Sequence, residues 1–380
     1  MASRTRWARS LARRLTSAPA LALGATIATV VPTAACTAGP ANSGASSVAA
    51  ASPAITAAQA RQVWDHFVAV SGARTGTSHD LSASLAAETG PQRAVDSASV
   101  KSVSYGHGAG RTAAFAPPGY DAPTFFLPKQ FGYPHFFVAD VTEQPASGHS
   151  PGAASPVSID GAAVQPSGPK LMLFEQRSTG APWLLASTSS LAVGQRLPKL
   201  AVDSTGYVPT VSLSDAALLA RPKDIGPLQA AIVDDGPASA AAKVVAAGPS
   251  TTGVYQGAAG HVTGLTAPHG DVYQWEMEGA NYPQFALRTA AGGALVFYAM
   301  TLNTTVAVPD VINKDNPIHS GPPIPVPANL KPLLPPDQPA PQIQLQSEQL
   351  LSFAAIDPPA ANSKTQVIAI GGGLTSASAS

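Results

Sequence analysis

Cysteine is almost absent: the 380-residue chain holds a single one, Cys36. One thiol excludes an internal disulfide and every metal site built from clustered cysteines. Charge is scarce too, at 12% of residues, with 22 basic and 22 acidic side chains. Five of the basic ones (Arg4, Arg6, Arg9, Arg13, Arg14) stand before residue 15. The rest of the chain is therefore mildly acidic and lacks the basic field that nucleic acid requires. The eight histidines (His66, His79, His107, His135, His149, His261, His269, His319) are scattered singly, with no H-x-x-x-H or H-E-x-x-H spacing to hold zinc. No G-x-S-x-G elbow and no P-loop occur, and Gly371-Gly372-Gly373 lacks the lysine and helix of a phosphate cradle. These gaps assign no catalytic residue, metal or cofactor, and a non-enzymatic role is favoured over an enzymatic one.

What is present is an address. The basic cluster is followed by an uncharged, mostly apolar stretch, Leu15 to Ala35, with an apolar centre from Leu21 to Val31. A positive segment, an apolar segment and small residues before a cleavage point make an export signal rather than a structural helix. Thr33-Ala34-Ala35-Cys36 resembles the lipobox of exported bacterial lipoproteins, with Thr33 where that pattern usually has leucine. The resemblance implies that Cys36 carries a lipid, becomes the mature N-terminus and anchors the protein outside the cytoplasmic membrane. Ordinary cleavage at the alanines and an uncleaved apolar anchor are the alternatives. Residues 36–53 continue as a charge-free Ala/Ser/Gly/Pro tract, which reads as a flexible tether.

Beyond the tether the chain is long enough for two ordinary domains. Its 33 glycines and 37 prolines give loops a large share of it. Thr56 and Gln59 form a T-x-x-Q capping box, and Ala60, Val63, Trp64, Phe67 and Val68 follow at the spacing of one helical face, ending near Gly72. Asp65 and His66 fall off that stripe, toward solvent. A short helix, Ser84 to Thr89, is expected to close at Gly90-Pro91. From Val100 the period changes to that of strands. Val103 and Tyr105, Phe125 to Leu127, Phe136 to Val141, Leu171 to Gln176 and Trp183 to Thr188 are all bounded by turn residues.

The pattern then repeats. Tyr133-Pro134-His135-Phe136 returns as Tyr282-Pro283-Gln284-Phe285, and Leu171-Met172-Leu173-Phe174 has a counterpart in Ala294-Leu295-Val296-Phe297. Helical stretches Ser214 to Leu219, Ile225 to Val233 and Ala238 to Ala247 would open the second copy. Its last strand, Leu350 to Ile356, would be delayed by an insert, 309–341, with 11 prolines. The fold class expected is α+β: two tandem domains, 54–205 and 206–380, each with N-terminal helices packed on a curved antiparallel sheet. Two unrelated α+β domains, or a single larger sheet, are the alternatives.

Leu85-Ala86-Ala87-Glu88-Thr89-Gly90-Pro91, the Tyr133-Pro134 strand and Gly180-Ala181-Pro182-Trp183-Leu184-Leu185 resemble uncharacterised actinobacterial cell-envelope lipoproteins. The resemblance implies cystatin-like or NTF2-like modules and no particular activity. Modules of that kind place a pocket between helix and sheet, lined by inward aromatics. The candidates are Trp64, Tyr133, Phe136 and Trp183 in the first copy, and Tyr273, Trp275, Tyr282 and Phe297 in the second. The plainer expectation is that these rings fill the core. Glu276 and Glu278 alternate on one side of a strand, facing solvent. The function expected is a lipid-anchored envelope protein that binds or scaffolds a protein, glycan or small ligand. An enzyme with an NTF2-like pocket, or a solute-binding lipoprotein hinged around a cleft, would be the alternatives.

Overall fold

In the computed structural model the described residues are 51–72, 82–106, 119–144, 157–159, 162–164, 166–269, 272–308, 323–335, 340–359 and 363–380. Cys36 lies outside them, as does most of the tether. Residues 50–380 form one compact unit.

The chain enters through β1 (Ser52–Pro53) into α1 (Ala57–Gly72). The capping box forms as the sequence predicts: the Gln59 side chain accepts from the Thr56 amide at 2.9 Å, and the Thr56 hydroxyl accepts from the Gln59 amide at 3.2 Å. Ala60, Trp64 and Phe67 are buried, while Asp65, His66 and Val68 are exposed. Next come α2 (Ser82–Ala86) and α3 (Gly90–Gly106). Here the expectation is corrected twice: Gly90-Pro91 opens a helix instead of closing one, and Val103 and Tyr105 belong to that helix. Proline is at home in a first helical turn, where its missing N–H costs nothing.

Strands β2 (Gly119–Tyr120), β3 (Thr124–Phe126), β4 (Pro128–Gln130), β5 (His135–Val141) and β6 (Glu143–Gln144) follow. A small hairpin, β7 (Val157–Ile159) and β8 (Ala162–Val164), precedes β9 (Pro166–Gln176) and β10 (Leu184–Ala192). The second half holds β11 (Val208–Pro209), α4 (Ile225–Asp235), α5 (Thr252–His269), β12 (Val272–Gly279), β13 (Phe285–Arg288), β14 (Ala294–Ala307), β15 (Gln344–Asp357) and β16 (Gln366–Ala379). Ser214 to Leu219 is turn rather than helix, and Ala238 to Ala247 contains only a 3-10 turn, Ala240–Lys243.

Two antiparallel meanders result. The first runs β3-β5-β9-β10. The second runs β14-β15-β16, with β12 and β13 both on the outer side of β14. They do not separate at residue 205. β10 pairs with β16 (Ser190 opposite Ile370, Leu191 opposite Ala369), which makes one nine-stranded sheet of both halves. The expected pair of separate domains is thus replaced by the single-sheet alternative.

Side chains alternate across each strand, and this alternation sorts the core into layers. Phe137, Ala139, Met172 and Phe174 pack under Trp64 and Phe67 of α1. Phe136, Val138, Leu171 and Leu173 point the other way, onto Phe285, Leu287, Leu295 and Phe297 of the second half. The opposite face of that half, including Val296, Tyr298, Met300, Leu351 and Phe353, packs beneath Ile225 and Val233 of α4 and Val254 of α5. Helices α1, α4 and α5 therefore lie outside, the two half-sheets face each other inside, and Pro91 at the start of α3 reaches the space between them.

The junction requires glycine. A Cβ on Gly371 would run into the Thr188 carbonyl oxygen, and one on Gly372 into that of Leu350. Gly371→Ala should destabilise the fold by about 2–4 kcal/mol, because only backbone could move aside. Gly260→Ala, in mid-α5 where a Cβ meets no neighbouring atom, should instead stabilise by about 0.5–1 kcal/mol. Urea melts of the two variants check both signs.

Candidate functional site

The Tyr-Pro strands bring a crevice together where the half-sheets meet. Phe136 and Phe285, the fourth residues of the two repeated motifs, stack on each other with ring centroids 4.3 Å apart. Around them Pro91, Leu173, Glu175, Ala186, Ser187, Tyr282, Pro283, Phe297 and Ser352 line a space of about 20 Å³. That is room for about one water molecule.

Two buried carboxylates belong to this region of the fold. Glu175 is 3% exposed and lies opposite Phe136 in the sheet. Burial pushes its carboxyl above the usual range, and the Arg177 guanidinium, 3.2 Å away, pulls it back. Glu88 is 1% exposed and accepts from the Ser84 hydroxyl at 3.2 Å. Its backbone segment runs beside β10, where the Thr89 amide donates to the Leu185 carbonyl and the Leu185 amide to that of Ala87. The Leu85–Pro91 motif is thereby stitched to the sheet beside the crevice.

The eight aromatic candidates divide among four places. Tyr282 and Phe297 line the crevice, and Phe136 stacks on Phe285, which also lines it. Trp64 of α1 packs on Phe174, and Trp183 on Phe137 in the same core layer. Trp275 donates its indole N–H to the Val233 carbonyl at 2.9 Å, and Tyr273 lies beside it. Tyr133 is 43% exposed, its ring stacked on His135 at 4.0 Å. Most of these rings are core, and no single pocket collects them. Glu276 and Glu278 are exposed, as their alternation implies.

Other polar groups were not legible in the sequence. The Tyr298 hydroxyl donates to Gln229 at 2.7 Å, and the Gln229 amide donates to the Ser250 carbonyl at 2.8 Å, tying sheet, α4 and the start of α5 through a fully buried glutamine. Beside that start, Gln195, Ala246 to Thr251, Gln366 and Val367 surround a hollow of about 210 Å³. Asp357 is fully buried; it accepts from the Thr365 hydroxyl at 2.8 Å, and burial raises its pKa. Among the described residues no three His, Cys, Asp or Glu side chains are grouped to hold a metal ion.

Residues 51–379 match the model of a family described as a domain of unknown function, DUF8094. No curated protein and no solved structure matches the chain.

Two outcomes follow from this geometry. Phe136→Ala and Phe285→Ala should each cost about 3–5 kcal/mol. The double variant should fall short of their sum by about 0.5–1.5 kcal/mol, the coupling of stacked rings, read from a denaturant double-mutant cycle. Asp234 supplies the second. Desolvation, which outweighs a bond from the Met277 amide and is reinforced by Glu276 and Asp235, pushes its carboxyl up to about 6. The folded chain then holds a proton that the unfolded chain releases near pH 4, so stability falls as pH rises from about 4 to 6. Asp234→Asn should remove that fall and leave the variant about 1 kcal/mol more stable than the parent at pH 7, with no difference at pH 4.

Proposed function

The chain belongs to the DUF8094 family, and we propose that it serves as a lipid-anchored, extracytoplasmic envelope protein whose double-layered fold is a binding or scaffolding body rather than an enzyme. One observation carries the anchoring. The apolar stretch ends at Cys36, a short uncharged tract follows, and both the family match and the first strand begin only at its far end, at residues 51 and 52. The folded body is thus spaced from the lipid-bearing sulfur by a tether too polar and too small in side chain to bury a core. A thiolate is a competent nucleophile for a thioether link, so a solitary cysteine suffices.

The same reading treats the body as a duplicated, cystatin-like or NTF2-like module. Each half has a helix on the outer face of an antiparallel meander, and the corresponding Tyr-Pro strands meet at Phe136 and Phe285. Fusion of two such modules through their apolar inner faces spends those faces on each other. Recognition is left to the outer surface and the hollow at the start of α5. The single sheet running through both halves also disfavours a hinged, solute-trapping lipoprotein, which needs two bodies free to close.

The test is processing. In the native host the parent protein should incorporate labelled palmitate and fractionate with membranes. Cys36→Ala should yield an unlabelled, slower-migrating precursor, whereas globomycin, which blocks cleavage after the lipid is attached, should yield a labelled one. Identical migration and labelling of parent and variant would sink the reading.

A further inference from the structure

Six large apolar side chains are well exposed among the described residues: Val68, Phe131, Tyr133, Val193, Val202 and Val272. The two aromatic ones share a single loop, Phe131 to Pro134, between β4 and β5, with Phe131 65% and Tyr133 43% exposed. The loop is held at its root. The Gln130 side chain donates to the Phe136 carbonyl at 2.8 Å and accepts from the Phe136 amide at 3.2 Å, so a buried amide closes the turn as a strand pair would. Gly132, at φ +62°, makes the reversal, and the Tyr133 ring is propped on His135. A fixed pair of aromatic rings in water is an unusual use of apolar surface.

The tether enters the fold at the same root. β1 pairs antiparallel with β4, Ser52 opposite Gln130 and Pro53 opposite Lys129. In that register the chain before Ser52 leaves in the direction in which Phe131 continues from Gln130. The nearest cation, Lys129, is already paired with Asp203, so that pair brings no net charge beside the rings.

We infer that Phe131 and Tyr133 insert into the headgroup layer of the bilayer that holds the Cys36 lipid, and so fix which end of the body faces the membrane. This rests on the anchoring proposed above. Fifteen residues, 37–51, separate Cys36 from β1. A chain of that length reaches at most about 50 Å. The loop is therefore always within reach of the surface, at a high effective concentration. Aromatic rings favour that interface, and a lipid chain supported by a second, weak contact is the usual basis of stable attachment.

The experiment uses the lipidated mature protein in phosphatidylcholine vesicles. With Cys36 acylated, the parent has no free thiol, so Phe131→Cys introduces the one site open to the environment-sensitive fluorophore NBD. The probe should shift to the blue on reconstitution and be quenched by doxyl-labelled lipid. The same probe at exposed Ser376 on β16 should do neither. Circular dichroism and the melting temperature of Phe131→Cys should match the parent. A water-like, unquenched probe at position 131, or equal shifts at both positions, would overturn the inference while leaving the anchor intact. A reactive thiol in the parent protein would instead remove the anchor, and the inference with it.

Discussion

The apolar seam between the two half-sheets sets the terms for the rest of the molecule. Phe136, Val138, Leu171 and Leu173 of one half and Phe285, Leu287, Leu295 and Phe297 of the other have no route from water except against each other. Once they meet, the central strands are buried on both faces and α1, α4 and α5 are forced outward. Strands so placed read as continuous apolar runs, as Leu171 to Phe174 and Ala294 to Phe297 do. The low charge of the chain follows from the same geometry, since few strand positions are left to carry it. The glycine run on β16 is a further consequence, because a seam joined by a shared strand must let backbones approach where a side chain would intrude.

Polar groups inside such a body are held by specific partners. Gln229 satisfies both a tyrosine hydroxyl and a carbonyl, and the Leu85–Pro91 segment docks through backbone bonds on β10. Asp357 receives the Thr365 hydroxyl and the Ala220 amide, which pins the turn after β11 to the end of β15. Burial of its carboxyl favours the neutral form, as it does for Glu175. These groups fix which loop meets which strand; the apolar faces supply the bulk of the driving force.

Local order was legible where local chemistry decides it. The Thr56–Gln59 box, the stripe on α1, the strands at Phe136 to Val141 and Leu171 to Gln176, and the outward carboxylates on β12 all follow from spacing. α3 was hidden because Gly90-Pro91 reads equally as a stop and as a first turn. α5 was hidden because four glycines (253, 257, 260, 264) and no charged residue blur any amphipathic face. β16 was hidden behind its glycines, whose purpose appears only beside Thr188 and Leu350. The larger gap was one of faces. Periodicity tells that a strand has an apolar side, and not that two such sides from opposite halves of the chain will close on each other. For the same reason periodicity could not tell apart the four separate surroundings of the aromatic candidates, nor that Tyr133 stands exposed.

The β10–β16 pairing has a consequence for how the chain acquires its fold. β10 ends at Ala192, and the strand that covers its edge begins at Gln366. A ribosome or translocon delivers the first meander long before the strand that seals it. Through that interval β10 presents an unpaired edge and β9 and β5 an uncovered apolar face. The cost of closing so long a loop makes this contact slow as well as late. The first half must therefore wait in a form prone to pairing with other chains, and its protection until the second half arrives is a problem of timing rather than of stability.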